Sequence, residues 1–320
     1  MKKVTVIVLV LCLLACLLSG CGREEAQEPE TTEIMRVGGL TGPTSMGMVK
    51  LMESENYEFT LSADPAAFAP ALAKGELDIA AMPANLASVI CNNTNGAIKV
   101  LAVNTLGVLY IVERGETVHS LADLAGKNIY ATGSGAAPEF ALRYLLKENC
   151  MELDKDLSVQ WCADTTEAMS YITNDANAVA MLPQPFVTAA QLQLADLRVA
   201  IDMNAEWEKL DNGSAMVTGV LVARTDFMNE HPELIEKFME EYEASVDFVL
   251  NNTGDAAELM GQYEIVKTPI ALKALPFCNI TFLTGDDMKT AMEGYLKVLY
   301  DMNPAAVGGK LPESDFYYGA

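Results

Sequence analysis

From Ile34 onward, short β-branched runs alternate with stretches that have helical periodicity. This alternation predicts parallel strands joined by crossover helices, and therefore an α/β fold. The first series has predicted strands at 34–40, 57–62, 78–82 and 99–104, with helices near 45–53, 65–74 and 85–91.

A second series follows an extended run at 109–114. Its predicted strands are 128–131, 158–162, 178–182 and 197–201, with helices at 136–148, after Asp164 and near 184–192. Before the first of these strands, Ser120 and Gly126 are placed to begin and end a one-turn helix. Another extended run covers 216–224, and beyond it Pro232 opens a helix whose apolar face runs from Leu234 to Val249.

Two α/β lobes with a cleft between them are the economical arrangement of these elements. We expect one lobe from residues 34–112 and 220–320, and the other from 113–219. The extended runs 109–114 and 216–224 are then two crossing strands that join the lobes. Length alone is compatible with one domain or two.

The first twenty residues have the character of a secretory signal. Lys2 and Lys3 precede an apolar run over 4–18, and Leu18-Ser19-Gly20-Cys21 resembles a bacterial lipobox, in which the cysteine becomes lipid-modified. We expect residues 1–20 to be a lipoprotein signal peptide, Cys21 to be the lipidation site and 21–33 to be a disordered tether. The alternative is an ordinary signal with an incidental cysteine.

Removal of residues 1–20 takes away two lysines and no acids, which changes the formal net charge from −23 to −25. Such a surface repels nucleic acid, so we expect no nucleic-acid partner. Four cysteines lie beyond Cys21, without metal-type spacing, and we expect buried residues rather than disulfides. These are Cys91, Cys150, Cys162 and Cys278.

The ligand site of an open α/β sheet lies beyond the carboxyl ends of its strands. This rule selects residues in five loops or strand ends as the predicted ligand-binding set. In the first lobe they are Thr41, Gly42, Pro43, Thr44, Ser45, Pro83, Asn85 and Thr105, and in the second lobe Gly133, Ser134, Gly135, Glu139, Pro183 and Gln184.

A helix starting at Thr44 or Ser45, and another following Gly135, would direct unpaired backbone N–H groups at the cleft, where they can hold an anionic group. Alternatively, the hydroxyl groups only cap their own helices. Glu139 can face a ligand amine or only complement its helix dipole. Because these loops contain no arginine or lysine, we expect a neutral, zwitterionic or weakly anionic organic ligand. Three aromatic residues near strand ends can stack on a flat ring or belong to the core, namely Tyr130, Trp161 and Phe186.

Catalysis lacks a recognisable constellation. His119 and His231 are the only histidines, neither lies in a predicted cleft loop, and no phosphate-binding or serine-nucleophile motif occurs. We expect a protein that is not an enzyme, with no catalytic residue, metal or cofactor.

Six short sequence motifs are distinctive when taken together. They are 42–48 (GPTSMGM), 75–80 (GELDIA), 120–127 (SLADLAGK), 133–135 with Pro138 and Glu139, 182–186 (LPQPF) and 307–312 (VGGKLP). With them, the chain resembles the type II periplasmic binding protein fold over essentially all of 34–319, particularly the nitrate, sulfonate, taurine and thiamine-precursor binders of ABC importers. Gln184 stands where similar sequences often carry glutamate, which removes a possible contact to a cationic ligand.

The resemblance implies a monomeric, lipid-anchored protein on the extracytoplasmic face of the cell membrane. Its partners would be a small organic solute, sulfonate or pyrimidine-like or related, and the membrane permease of an ABC importer. A thiamine-precursor-synthase-like enzyme and a ligand-sensing lipoprotein without a transport role are the alternatives.

Overall fold

Two β-sheets organise residues 34–320, which are the residues that the computed structural model describes and which form one unit. The first sheet has the order β11-β4-β10-β3-β1-β2 and the second the order β7-β6-β8-β5-β9. The strands of the first sheet are β1 (Met35–Leu40), β2 (Tyr57–Ser62), β3 (Ile79–Pro83), β4 (Ile98–Leu106), β10 (Val217–Arg224) and β11 (Ile280–Leu283). Those of the second sheet are β5 (Leu109–Glu113), β6 (Asn128–Ala131), β7 (Ser158–Trp161), β8 (Val179–Pro183) and β9 (Arg198–Asp202).

Each sheet combines parallel strands with an antiparallel insertion. β1 pairs in parallel with β2 and β3, whereas β10 runs antiparallel between β3 and β4. In the second sheet β6 pairs in parallel with β7 and β8, and β5 is antiparallel to both β8 and β9. The inserted strands β5 and β10 are the two extended runs noted in the sequence.

Helices pack against both sheets. They are α1 (Pro43–Met46), α2 (Phe68–Ala73), α3 (Ala84–Asn93), α4 (Ala137–Glu148), α5 (Thr165–Asn174), α6 (Phe186–Gln191), α7 (Met203–Glu208), α8 (Thr225–Glu230), α9 (Pro232–Asn251), α10 (Thr253–Gln262), α11 (Thr268–Ala274) and α12 (Gly285–Met302). The predicted α/β class with two lobes is confirmed. Hereafter the first and second lobes are the first and second sheets with the helices that cover them.

Local sequence patterns identified most of these elements. Ser120 and Asp123 form a capping box on a 3-10 turn at Leu121–Leu124, and Gly126 follows with a positive φ of 75°. On α9, the side chains of Ile235, Phe238 and Tyr242 are buried as the apolar periodicity predicts. The strand β11 and the helices α7 and α8, which are four and six residues long, were not predicted, because short elements show little periodicity. The equally short β6, α2 and α6 were found from their place in the alternation of strands and helices.

The predicted helix over 45–53 is only partly helical. Its first turn is α1, the next residues form non-repeating turns, and a 3-10 turn covers Leu51–Glu53. Gly47 lies in the middle of this stretch, and a Cβ there would come within 2.7 Å of the Tyr242 hydroxyl. The close approach of α9 therefore requires glycine, at a position where glycine also weakens a helix.

The chain changes sheets at Gly107 and Val108, and it returns between α7 and β10. β5 pairs only within the second sheet and β10 only within the first. The change of sheet thus precedes the predicted lobe boundaries at 112 and 219 by a few residues. The sequence contains no break at Gly107, because β4 and β5 form one nearly continuous apolar run.

Gly107 is held from both lobes at this crossing. Its N–H donates to Asn204 Oδ1 of the second lobe at 3.1 Å, and its carbonyl accepts from Asn279 Nδ2 of the first lobe at 2.5 Å. A Cβ at this position would lie 2.8 Å from Asn204 Oδ1 and 2.9 Å from Met216 Sδ. Next to it, the Tyr110 hydroxyl donates to the Phe277 carbonyl of the first lobe at 2.7 Å.

One hydrophobic cluster runs through both lobes. It includes Phe68 and Val220 of the first lobe together with Ile129 and Trp207 of the second. A second cluster fills the other face of the first sheet under α9, and a third lies on the other face of the second sheet. The lobes are therefore joined by packed side chains as well as by two chain crossings.

The four cysteines of the described residues form no disulfide, as expected. Cys91, Cys162 and Cys278 are buried, and burial raises the pKa of each thiol. Cys150 is exposed, contrary to the expectation of a buried residue, because it follows α4 in a tight turn with a φ of 58°.

Glu113 anchors the loop that leaves β5. Its buried carboxylate accepts from the N–H groups of Thr117 and Val118 at 2.9 and 3.0 Å, and it also binds the Thr117 hydroxyl and the Arg198 guanidinium. Burial alone would raise the pKa of this carboxyl, but these hydrogen bonds and the Arg198 charge outweigh burial, so the pKa lies below its ordinary value of 4.5.

We expect Glu113→Gln to lower the free energy of unfolding by about 2 kcal/mol at pH 7, because the amide cannot accept all of these hydrogen bonds. The carboxylate contributes stability above pH 4.5 and loses it as the pH falls through the lowered pKa. Urea titrations should therefore show a difference between wild type and variant that shrinks on acidification. Glu116→Gln, at an exposed neighbour, is the control; equal stability of the two variants would contradict this role.

Candidate functional site

A cavity of about 540 Å³ lies between the two lobes, at the carboxyl ends of several strands. Both lobes contribute to its walls. The first lobe supplies Leu40, Thr41, Pro43, Thr44, Pro65, Pro83, Asn85, Leu86, Thr218 and Tyr295, the second supplies Leu109, Thr132, Ala136, Ala137, Pro138, Pro183 and Gln184, and Val108 and Met216 lie at the two crossings.

Half of the predicted ligand-binding residues line this cavity. They are Thr41, Pro43, Thr44, Pro83, Asn85, Pro183 and Gln184. The other seven lie near the cavity without lining it, namely Gly42, Ser45, Thr105, Gly133, Ser134, Gly135 and Glu139. The rule that selects strand ends therefore located loops that border the cavity, but it did not distinguish residues that face the cavity from residues that lie behind it.

α1 shows this distinction in the first lobe. The side chains of Asn104 and Thr105 donate to the carbonyls of Thr44 and Pro43 at 2.9 and 3.5 Å, so Thr105 holds α1 from behind. Ser45 is fully buried, and its N–H donates to the Gly42 carbonyl at 3.1 Å. With Pro43 in the first turn and only one turn of helix, α1 does not provide the row of free N–H groups expected at Thr44 and Ser45.

In the second lobe, Glu139 closes the loop that precedes α4. Its carboxylate accepts from the Gly135 N–H at 2.7 Å, from the Ser134 hydroxyl at 3.4 Å and from Arg143 Nε at 2.7 Å. Burial would raise the pKa of this carboxyl, but these partners outweigh it and the pKa is lowered. The Glu139 carboxylate is thus hydrogen-bonded within its own loop and helix. Of the two roles considered from the sequence, it does not take the first, which was to face a ligand amine.

Gln184 presents an oriented amide to the cavity. Its Oε1 accepts from the Thr188 hydroxyl at 2.9 Å and from the Thr188 N–H at 3.3 Å. This fixes which end of the side chain is the acceptor. The amide nitrogen has no partner within residues 34–320, so the group that remains is a donor.

Two longer helices begin at the cavity from opposite lobes. Residues of the first turn of α3 line it from one side and residues of the first turn of α4 from the other, and neither helix has a side-chain cap. The positive ends of both helix dipoles therefore face the space between the lobes. Electronegative atoms of a bound solute are favoured at these two points.

Sequence reasoning missed twelve of the nineteen lining residues, and Tyr295 is the most instructive. It reaches the cavity from the third turn of α12, far from any strand end, and its ring lies 5.8 Å from that of Trp207. Within an amphipathic helix such a tyrosine has the same periodicity as a core residue. The sequence therefore carried no signal for it.

The three aromatic residues considered for stacking do not line the cavity. Tyr130 stacks on Tyr171 with a centroid distance of 4.0 Å, Trp161 is half-buried against the core, and Phe186 is exposed at the start of α6. Of the two alternatives, stacking on a ligand ring or packing within the protein, the second applies to Tyr130 and Trp161.

None of the nineteen lining residues is charged, histidine or cysteine, in the part of the chain that the structure describes. His119 is exposed on the loop before the 3-10 turn, and His231 precedes α9. Residues 34–320 contain no group of three or more His, Cys, Asp or Glu side chains that could hold a metal ion. Over the same residues, no helix has the length and apolar character needed to cross a membrane.

Comparisons with known proteins agree with this geometry. Solved structures that share the fold include an ABC transporter protein from Parabacteroides distasonis, with 22% identity, a TM-score of 0.74 and coverage of 89% of this chain and 98% of that one. The periplasmic aliphatic sulphonate binding protein SsuA from Escherichia coli has 14% identity, a TM-score of 0.69 and coverage of 86% and 94%. A Candida albicans protein described as having the generic periplasmic binding protein fold has 11% identity, a TM-score of 0.54 and coverage of 88% and 92%.

At the level of sequence, no curated protein matches the chain. The family model described as NMT1/THI5 like matches residues 58–256, which include the whole second lobe and about half of the first. With the two-lobed periplasmic binding protein fold around a cavity that both lobes line, the chain belongs to the NMT1/THI5-like family.

Proposed function

We propose that this protein is an extracytoplasmic solute-binding lipoprotein that captures a small organic solute and delivers it to an ABC importer. The observation that carries the proposal is the cavity, because it is shared between the lobes and its volume of about 540 Å³ suits a small molecule. Sulfonates and pyrimidine-like compounds are the first classes to test. The similar folds of an ABC transporter protein and a sulphonate binding protein support this choice.

Solute binding is proposed to close the lobes. A solute that contacts both lobes binds the closed state better and therefore shifts the population toward it. The rotation is best absorbed in the segment 209–216, with Gly107 as the pivot because it is hydrogen-bonded to both lobes. The runs 109–114 and 216–224, which the sequence suggested for this role, are paired almost entirely within single sheets.

The enzyme and sensor alternatives have no specific observation in their favour. A thiamine-precursor synthase would need a side chain that acts as a base near neutral pH, and the lining residues supplied by the described part of the chain include no Asp, Glu, His, Cys or Lys. A sensor would use the same cavity and differ only in its partner. The proposal of a binding protein therefore stands first.

The membrane anchor remains a proposal based on sequence. The lipobox-like Leu18 to Cys21 and the tether to residue 33 lie outside the described residues. A lipid-modified Cys21 would hold the two-lobed body at the extracytoplasmic face, where a permease is accessible. We further propose that the body acts as a monomer.

Thermal unfolding in the presence of sulfonates, pyrimidines, amino acids or nitrate tests binding. At a concentration one hundred times its Kd, a bound solute adds about 2.7 kcal/mol to the unfolding free energy and raises Tm. Ala137→Trp should abolish this shift, since the indole would occupy the cavity, whereas Ala195→Trp at an exposed position should retain it. A shift that survives in both variants would place the solute elsewhere, and turnover of a binding solute would favour the enzyme alternative.

Small-angle X-ray scattering tests closure. We expect the radius of gyration to fall when the protein is saturated with a solute found by the thermal screen. The Ala137→Trp variant, measured at the same solute concentration, controls for non-specific compaction. An unchanged scattering curve on saturation would contradict the closure mechanism.

Expression of the full chain in a bacterial host with a labelled fatty acid tests the anchor. We expect label on the wild type and partition into the detergent phase. Cys21→Ser should lose both properties while Cys150→Ser retains them. Equal labelling of wild type and Cys21→Ser would rule out Cys21 as the lipidation site.

A further inference from the structure

We infer that the cavity selects an uncharged solute with an apolar body and a carbonyl-type acceptor, to which Tyr295 and Gln184 donate hydrogen bonds from opposite lobes. This inference rests on the proposed solute-binding function and deepens it. It separates the solute from the sulfonates, which are anions at neutral pH.

The composition of the walls is the first reason. In the part of the chain that the structure describes, no Asp, Glu, Lys or Arg lines the cavity, and twelve of its nineteen residues are apolar. Moving an ion from water into such a space costs several kcal/mol unless an opposite charge or a full set of hydrogen bonds replaces its hydration. No opposite charge lines the space for an ion of either sign.

Backbone donors, the usual substitute for a cation, are depleted at the same place. Five lining residues are prolines, which have no N–H group. Pro43 and Pro138 lie in the first turns of α1 and α4, so each of these turns lacks one of the amide donors that an anion would need, whereas the first turn of α3 contains no proline. The Gly135 N–H just before α4 is already bound to the Glu139 carboxylate. The remaining donors suit one or two neutral oxygen atoms better than an ionised group.

Tyr295 is the donor of the first lobe. The residue is 3% exposed and lines the cavity, and its hydroxyl has no hydrogen-bond partner within residues 34–320. Burial raises the pKa of this phenol, so it keeps its proton at neutral pH. Trp207 packs against the ring and Tyr144 packs against Trp207, with centroid distances of 5.8 and 4.7 Å, which holds the hydroxyl in place.

Gln184 is the donor of the second lobe. It is also 3% exposed, and the two bonds from Thr188 to Oε1 leave its amide N–H groups for the solute. A solute that supplies acceptors pairs with both donors, whereas a purely apolar solute would cover them without replacing the hydrogen bonds that water can make to them. A solute with acceptor oxygens or nitrogens is thereby preferred over a purely apolar one.

Four probes of equal body and different charge test this inference: cyclohexanecarboxamide, cyclohexanecarboxylate, cyclohexanesulfonate and cyclohexylammonium. The affinity of each probe is measured by titration calorimetry on the intact protein in detergent. We expect the carboxamide to bind at least about tenfold more tightly than each ion. Tyr295→Phe should weaken carboxamide binding about five- to tenfold, because one neutral hydrogen bond is lost.

Tyr300→Phe is the matched control, since Tyr300 lies on the same helix and does not line the cavity. It should bind the carboxamide as the wild type does. Tighter binding of the sulfonate, carboxylate or ammonium probe overturns the inference, and so does unchanged carboxamide affinity in Tyr295→Phe. If no probe binds while the thermal screen finds an ionic solute, the inference fails alone; if nothing binds in either experiment, the proposed function fails with it.

Discussion

Gly107 is hydrogen-bonded by a side chain of each lobe at the point where the chain passes between the sheets, and the geometry of the cleft depends on this contact. Asn204 and Asn279 satisfy its N–H and carbonyl, and no side chain fits at its Cα. Buried backbone groups need such partners, so the crossing can be enclosed without loss of hydrogen bonds. The adjacent Val108 lines the cavity and its carbonyl accepts from the Gln184 N–H at 2.9 Å. One short segment thus fixes both the junction and part of the cavity wall.

Much of the fold follows from periodicity and local capping. The strand runs at 57–62 and 128–131 coincide with β2 and β6, because β-branched and aromatic residues bounded by turn signals are typical of strands. What the sequence could not show is the pairing order. Insertion of β10 between β3 and β4 depends on contacts across more than a hundred residues, for which local pattern has no signal. The same limit hid β11, whose four residues become a strand only because β4 offers an edge.

The candidate site was half predictable for a related reason. Strand ends are visible in the sequence, so Thr41, Pro83 and Gln184 could be selected. Whether a residue in such a loop faces inward depends on its hydrogen bonds. Thr105 and Glu139 have polar side chains of the kind that bind ligands. However, Thr105 donates a hydrogen bond to α1, and Glu139 accepts one from the Gly135 N–H of its own loop. The residues that complete the cavity from helices and crossings, Tyr295 and Met216 among them, are defined by tertiary packing alone.

The prolines of the cavity wall also bear on the selectivity of the proposed solute binding. A proline has a fixed φ and almost no side-chain freedom, so the walls around Pro43, Pro83 and Pro183 lose little conformational entropy when a solute binds. The two half-sites are therefore preorganised within each lobe, and adaptation to a solute of another size is restricted to the angle between the lobes. With the proposed function, the cavity would accept solutes that differ in length along the direction of lobe closure, and it would reject solutes that differ in width across that direction.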